Sequence, residues 1–241
     1  MQTQNSGEKI ADFTFKEYIF GKAPRRVYYA SLISTLALMM ATILIAYLLY
    51  DGDYSMHNKQ ISELDHIGFN PIGAYVFEVG FILSGFFFIP SAMFMMQTMK
   101  QVNRPLGLLA GFFYGVAGLG IIVVGCFPTR RVYIMHVVGA GMGFGGLLLA
   151  IIISLILVFI KARKMKTEGK SSNQLMIIGI ISYVPFIVAA ILAIIFVGLP
   201  VIESVQAGLA FGEYTPEGWE IYEWGMFFTG LFSTLGTQHI F

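Results

Sequence analysis

The stretch Ile134–Ile160, IMHVVGAGMGFGGLLLAIIISLILVFI, decides the fold, because it is long enough to cross a bilayer and contains no Asp, Glu, Lys or Arg. A transmembrane helix needs about 20 apolar residues to span about 30 Å of hydrocarbon. Five further apolar runs of sufficient length accompany it: Val27–Tyr50, Gly73–Thr98, Leu106–Phe127, Leu175–Gly198 and Pro216–His239. We therefore predict an all-α, polytopic membrane protein with six transmembrane helices.

The composition also indicates a membrane protein. Apolar residues make up 56% of the chain and charged residues only 12%, whereas about a quarter of a soluble domain is charged. We predict a cytoplasmic N-terminal segment over residues 1–26, with an interfacial helix within residues 8–20, followed by a six-helix transmembrane bundle over residues 27–241. The net charge of +1 and the lack of a basic patch predict no nucleic acid partner.

The basic residues predict the orientation in the membrane. Twelve of the 15 Lys and Arg residues lie in the N-terminal tail, the second-to-third connection or the fourth-to-fifth connection. The others, Lys59, Arg130 and Arg131, lie on the opposite side. Because cytoplasmic loops carry the excess of Lys and Arg, both termini are predicted to be cytoplasmic, in the cell membrane if the source is prokaryotic.

Small residues predict how two of the helices pack. Glycines recur at helical spacing in the third and fourth runs: Gly107, Gly111, Gly115 and Gly118, then Gly139 and Gly143. Close backbone approach through small residues drives helix association in membranes. The third and fourth runs are therefore expected to form a tight antiparallel hairpin.

Four ionisable residues stand in the first turns of apolar runs, all towards the same membrane face: the shallow Glu220 and the three candidates Glu78, His136 and Glu223. Intramembrane ionisable groups are costly and usually face the bundle interior. Helical periodicity directs all three towards one outer vestibule, where they are our candidate catalytic residues. The alternatives are a hydrogen-bonded Glu78 that only pins helices together and an interfacial His136 that bonds to a neighbouring backbone.

Other polar residues would complete such a vestibule. Arg130 and Arg131 depart from the positive-inside pattern and are candidates for binding a lipid headgroup, the alternative being side chains that snorkel at a helix end. Ser62, Asp65 and His66 are predicted to form the vestibule rim, and Ser62 with Asp65 is expected to cap a short helix.

No metal site and no cofactor are predicted. The run Gly141-Met-Gly-Phe-Gly-Gly146 matches a dinucleotide-binding fingerprint, but it lies within an apolar span and follows no strand. The histidines and carboxylates lack the tight ligand spacing of a zinc site, and no GxSxG nucleophile motif is present. The lone Cys126 is expected to be a small buried residue.

Three motifs resemble a known family. They are Ile61-Ser-Glu-Leu64, Asn70-Pro71 leading to Gly80-Phe-Ile-Leu-Ser-Gly85, and Gly125-Cys-Phe-Pro128 followed by His136 and Ala140. Together, over residues 30–240, they resemble the prokaryotic six-span family known as domain of unknown function 998, with a more distant similarity to the Frag/DRAM/Sfk membrane family. The resemblance implies that Ser62, Glu63, Pro71, Pro128 and His136 are family positions, although Asp is commoner than Glu at position 63. It implies a fold more than a reaction.

The sequence supports three functional hypotheses. In the first, the vestibule binds or remodels a lipid or lipid anchor: Arg130 and Arg131 hold the headgroup phosphate, and His136 and Glu78 exchange protons. The second is a non-catalytic accessory subunit of a larger membrane complex, whose partners are other membrane subunits. The third is a small proton-coupled carrier that uses Glu78. Whether the protein is an enzyme stays open.

Overall fold

The computed structural model describes residues 13–57, 59–129, 131–195 and 219–241, and within these ranges the regular elements are all helical. This confirms the all-α prediction. In chain order they are α1 (Phe15–Ile19), α2 (Arg25–Leu48), a 3-10 turn (Ile61–Asp65), α3 (Gly73–Val102), α4 (Arg104–Cys126), α5 (Tyr133–Ala140), a π-helical turn (Gly141–Gly145), α6 (Gly146–Thr167), α7 (Asn173–Ala193) and α8 (Trp219–Ile240). We call the end of the bundle that carries the 3-10 turn the turn end.

Five helices in the described ranges are long and apolar enough to cross a membrane: α2, α3, α4, the continuous helix Tyr133–Thr167, and α7. This result confirms a multi-pass membrane protein. The sixth predicted run, Pro216–His239, corresponds to α8 from Trp219 onward, and its first residues lie outside the described ranges. Two glutamates and several buried polar side chains lower the hydropathy of α8.

Helix α8 packs against α2, α6 and α7, so its polar face is enclosed by protein. Ser233, Thr234, Thr237 and Gln238 are all at least 98% buried. Basic residues of the neighbouring helices hold its last turn: Arg25 Nη2 donates to the carbonyl of Gln238 at 2.9 Å, and Lys161 Nζ donates to the carbonyl of Ile240 at 2.7 Å. These bonds satisfy carbonyls that the end of a helix leaves without partners.

The glycines of α4 divide between two neighbouring helices. Gly107, Gly111 and Gly118 lie against α3, where side chains in their place would meet Lys100, Met96 and Phe88. Gly120 instead lies against the backbones of Gly139 and Gly143. A Cβ at Gly115 would meet nothing within 4 Å. The tight approach of the third and fourth runs is therefore confirmed, but most of the predicted glycine stripe packs against the second run instead.

Two further expectations are wrong or only partly fulfilled. Cys126 is exposed on the outside of the bundle. The interfacial helix expected within residues 8–20 is described only from residue 13, as the five-residue helix α1 with a capping box between Thr14 and Glu17. Gly21, with φ of 71°, turns the chain from α1 towards α2, and a Cβ there would collide with the backbone at Met93 and Phe94.

The 3-10 turn is held by bonds to helices rather than by its own cap. Gln60, not Ser62, precedes the first turn, and no side-chain cap is formed, so the predicted capping role of Ser62 is wrong. The turn begins two residues earlier than expected, and its first residue is bonded to α8, since Ile61 N donates to Glu223 Oε2 at 3.1 Å. Ile61 and Leu64 are buried beneath the turn.

Asn70 fixes the far side of the same turn. Its fully buried amide nitrogen donates to the carbonyl of Ala46 at 2.9 Å and to that of Leu64 at 2.8 Å. Its backbone carbonyl accepts from Ala74 N at 2.8 Å, at the start of α3. Asn70 therefore joins the end of α2, the 3-10 turn and the beginning of α3.

Candidate functional site

A cavity of about 100 Å³ lies within the bundle and is bounded by α2, α3, α4, the α5–α6 helix, α8 and the 3-10 turn. Its wall is almost entirely apolar: Leu36, Met39, Phe77, Phe81, Phe88, Ala117, Ile121, Val124, Phe144, Leu147, Met226, Phe227 and Leu231. The polar side chains that line it are Ser62, His136, Glu223 and Thr234. Sequence reasoning identified three of these four residues.

The cavity is elongated along the helices. On α3 its lining runs from Phe77 to Phe88, and on α8 from Glu223 to Thr234. At about 1.5 Å rise per residue, each of these stretches covers about 16 Å. Ser62, His136 and Glu223 lie at the turn end, so the channel is polar at this end and apolar along the rest of its length. We call the polar end the mouth.

The π-helical turn Gly141–Gly145 provides part of the channel wall. Gly143 lines the cavity, and a Cβ at this position would meet nothing within 4 Å. Gly141 and Gly145 in the same turn also face open space but do not line the cavity. Single π-helical turns within α-helices often occur at functional sites. The prediction that Gly139 and Gly143 pack closely against the third run is thus confirmed for Gly139, whereas Gly143 both approaches Gly120 and lines the cavity.

His136 is held at the mouth of the cavity with only 6% of its surface exposed. Its Nδ1 lies 2.9 Å from the carbonyl oxygen of Phe127. Since a carbonyl oxygen can only accept, Nδ1 donates this bond and carries the proton of the neutral ring. Nε2 then holds the lone pair, which makes it the basic nitrogen of the side chain.

Asp65 is the acidic neighbour of His136. It is 2% exposed, and its Oδ2 lies 3.8 Å from His136 Nδ1. The same oxygen accepts bonds from Thr129 N at 2.9 Å and from Thr129 Oγ1 at 3.3 Å, while Oδ1 has no hydrogen-bond partner. Burial outweighs the two bonds from Thr129 and raises the pKa of Asp65 to about 6.

Glu78 lies beside this cluster but does not line the cavity. Its Oε1 is 3.5 Å from Arg131 Nη2, and the Arg131 guanidinium lies over the ring of Tyr75 at 5.6 Å. The Glu78 side chain is 14% exposed and that of Arg131 is 42% exposed. The pair therefore places a partly accessible cation next to the mouth.

The structure brings together only part of the predicted vestibule. Ser62, His136 and Glu223 line the cavity. Asp65 lies next to His136 but does not line the cavity, and Glu78 pairs with Arg131. His66 does not line the cavity; its Nδ1 accepts from Gly68 N at 3.1 Å and its ring packs on Phe69. Arg130 lies outside the described residues.

Sequence reasoning missed Thr129 and Asn70 as supports of the site. Thr129 follows Pro128 in the short α4–α5 turn, where a hydroxyl and a free backbone N–H are available to a carboxylate. Nothing in its local pattern pairs it with Asp65, because the two residues lie on different connections. The Asn70-Pro71 pair did carry a local signal, since Asn before Pro favours the start of a turn.

Asp65→Asn is expected to remove a pH-dependent loss of stability. The folded state raises the pKa of Asp65 from 3.8 to about 6, so the folded protein binds the proton more tightly, and stability falls as the pH rises through this interval. Ionised Asp65 should cost about 3 kcal/mol at neutral pH, at about 1.4 kcal/mol per pKa unit. Asparagine keeps an oxygen acceptor for Thr129 and does not ionise.

The check is the melting temperature in detergent between pH 4 and pH 8. We expect the melting temperature of Asp65→Asn to be nearly equal to that of the wild type at pH 4 and to exceed it increasingly as the pH rises. Glu63→Gln on the same turn is the control, because Glu63 is partly exposed and pairs with Lys59 at 3.1 Å. A difference between Asp65→Asn and the wild type that stays constant with pH would refute the prediction.

Apolar helices packed around a cavity with a polar mouth define a polytopic helical membrane protein. The chain belongs to the DUF998 family of proteins of unknown function, whose profile matches residues 33–215. The match confirms the family resemblance seen in the motifs; the Frag/DRAM/Sfk similarity stays a prediction. The residues that the DUF998 profile matches include Ser62, Asp65, Glu78 and His136 but not Glu223. No curated protein and no solved structure gives a significant match.

Proposed function

We propose that this protein binds a lipid or lipid anchor, with one hydrocarbon chain in the cavity and the headgroup at the turn end. The observation that carries the proposal is the polarity of the cavity: its wall is apolar over about 16 Å of helix, and three of its four polar side chains gather at one mouth. An amphiphile has the same distribution. The volume of about 100 Å³ is smaller than the about 300–1,000 Å³ of drug-sized sites, so the cavity accommodates a short part of a chain and would widen to take more of it.

The headgroup would lie next to Arg131. Its guanidinium is partly exposed and donates several parallel hydrogen bonds, which suits a phosphate better than a lone ammonium does. Glu78 orients the guanidinium of Arg131. When the headgroup binds, one of its anionic oxygens would replace the Glu78 carboxylate beside that guanidinium. Arg130 is proposed as the second cation, on the basis of its sequence position beside Arg131.

The same proposal sets the topology. Helix α8 is the sixth span, and the turn end faces away from the cytoplasm, which puts both termini in the cytoplasm. The supporting observation is the position of the basic residues: Arg25, Lys161 and Lys164 all bind carbonyls at the end opposite the 3-10 turn. An excess of Lys and Arg marks the cytoplasmic side. The lipid would then enter from the outer leaflet.

Gly143→Leu tests the proposal by filling the cavity. A leucine there projects into open space that belongs to the channel, whereas Gly145→Leu, in the same π-helical turn, projects into open space outside it. We expect the wild type and Gly145→Leu to retain about one lipid per chain in mild detergent, as counted by native mass spectrometry. Gly143→Leu should retain at least tenfold less, with an unchanged melting temperature.

Lipid extraction from the same samples would identify the class that is bound. Equal retention by both leucine variants, or no retained lipid in the wild type, would overturn the proposal. A larger protein that co-purifies in fixed ratio with lipid-free wild type would favour the accessory-subunit hypothesis instead.

A further inference from the structure

We propose that Ser62 is the nucleophile of an acyl-transfer site at the mouth of the cavity, with His136 as its base, oriented by the Phe127 carbonyl, and Asp65 as the group that stabilises the protonated base. The inference rests on the proposed function, because the acyl group would belong to the lipid bound in the cavity. It assigns a reaction class and a nucleophile to a pocket that otherwise only binds.

The position of Ser62 is the first argument. This serine is 6% exposed and lines the same cavity as His136. It lies on the 3-10 turn three residues before Asp65, and residues three apart on a 3-10 helix eclipse each other, about 6 Å apart along the axis. Ser62 and Asp65 therefore lie on the same side of the turn. Asp65 reaches His136 at 3.8 Å, so the histidine stands against this side.

The orientation of His136 is the second argument. Phe127 and Asp65 both approach Nδ1, at 2.9 Å and 3.8 Å, which leaves Nε2 as the basic nitrogen. A nucleophile, a base and a third group that orients the base form the arrangement that activates serine hydroxyls on unrelated folds. The residue order in this chain, Ser62, Asp65, His136, is immaterial to that geometry.

The hydroxyl of Ser62 makes a long hydrogen bond. It donates to Gln60 Oε1 at 3.2 Å, near the long limit for an O–H···O bond. In the proposed reaction, a rotation about the Cα–Cβ bond of serine exchanges this acceptor for His136 Nε2. Catalytic hydrogen bonds are often long in structures without substrate and shorten in the complex.

The reaction proceeds in two balanced steps. Ser62 Oγ attacks the carbonyl carbon of a lipid ester, and its proton passes to His136 Nε2. The ester C–O bond breaks, the leaving alcohol takes the proton from the imidazolium, and the acyl group stays on Ser62 as an ester. Water, or an alcohol or amine of an acceptor, then attacks that ester, loses its proton to His136 and releases the acyl group, while Ser62 regains its proton.

A long-chain alkyl fluorophosphonate tests this site directly. The probe forms a bond from phosphorus to an activated serine oxygen with loss of fluoride, and its alkyl chain matches the apolar channel. We expect the wild-type protein to gain one adduct, which peptide mass spectrometry should locate on Ser62. Ser62→Ala should abolish the adduct, and His136→Asn should slow its formation at least about 100-fold, the usual contribution of a general base.

Ser84→Ala is the matched control. Ser84, further along α3, is also fully buried, and its hydroxyl has no hydrogen-bond partner, so alanine leaves no group unpaired. This variant should react like the wild type. An adduct on a serine other than Ser62, or equal labelling of Ser62→Ala, would refute the assignment.

Lipid retention, measured on the same samples, separates this inference from the proposed function. Wild type that retains lipid but forms no adduct would overturn the nucleophile and leave lipid binding intact. Wild type without lipid overturns the proposed function, whereas an adduct on Ser62 in that protein still supports an activated serine. Ser84→Ala should retain lipid as the wild type does, because Ser84 does not line the cavity.

Discussion

Gly120→Leu is expected to prevent correct assembly of the bundle, whereas Gly115→Leu on the same helix should be tolerated. A Cβ at position 120 would lie within 3.0 Å of backbone atoms of Gly139 and Gly143. Backbone cannot rotate away as a side chain does, so α4 and the α5–α6 helix must separate. Overpacking of a core costs about 1–3 kcal/mol and occasionally more, and a leucine against backbone belongs to the upper end.

Gly115 provides the comparison because a Cβ there would meet nothing within 4 Å. Glycine to leucine at this position should gain up to about 1 kcal/mol from helix propensity. We would compare the monodisperse fraction in size-exclusion chromatography and the melting temperature of the two variants in detergent. Similar values for both would show that the α4 to α5–α6 contact is not tight, against the geometry described above.

Asn70→Ala is expected to lower the free energy of unfolding by about 2–6 kcal/mol. The substitution leaves the buried carbonyls of Ala46 and Leu64 without the donor that reaches them at 2.9 Å and 2.8 Å, and each unsatisfied buried group costs about 1–3 kcal/mol. It also opens a small void beside Gly73, which lies in contact with the Asn70 side chain. The melting temperature in detergent is the measurement.

Gln97→Ala is the control for this prediction. Its amide makes one long bond, 3.4 Å, to the carbonyl of Phe20 near the surface, so its loss should be nearly neutral. Asn70→Ala should also loosen the 3-10 turn, which hydrogen exchange at the amides of residues 61–65 would detect as faster exchange. Unchanged stability together with unchanged exchange would contradict the joining role of Asn70.

The membrane spans could be predicted from sequence because length and hydropathy depend on local composition alone. The same criterion is weakest for α8, since Ser233, Thr234 and Thr237 lower its hydropathy while their hydroxyls bond to carbonyls inside the bundle. Enclosure by α2, α6 and α7 compensates for that polarity. No local sequence pattern predicts this enclosure.

Helical periodicity indicates the side of a helix on which a residue lies, but not which neighbouring helix packs against that side. It correctly directed His136 inward together with Gly139, since residues three apart share a face. It could not distinguish the two neighbours of α4, so the partner of Gly107 and Gly118 was misassigned. A face is a local property, whereas a neighbour depends on how all the helices are arranged.

The candidate site shows the same division between local and tertiary information. Ser62 was predicted as a helix cap because its local pattern resembles a capping box, yet a bond between Ile61 and Glu223 sets the start of the turn. Glu78 was expected in the vestibule, but Arg131 draws its carboxylate to the side of it. In both cases a partner remote in sequence determines the position of the residue.

The enclosure of α8 has a consequence for how the protein matures during synthesis. This helix contributes Glu223 and one wall of the cavity, and it is the last of the described helices to leave the ribosome. Until it inserts, Ile61 lacks its carboxylate partner and the channel is open along one side. The cavity is therefore enclosed only after α8 has packed against α2, α6 and α7.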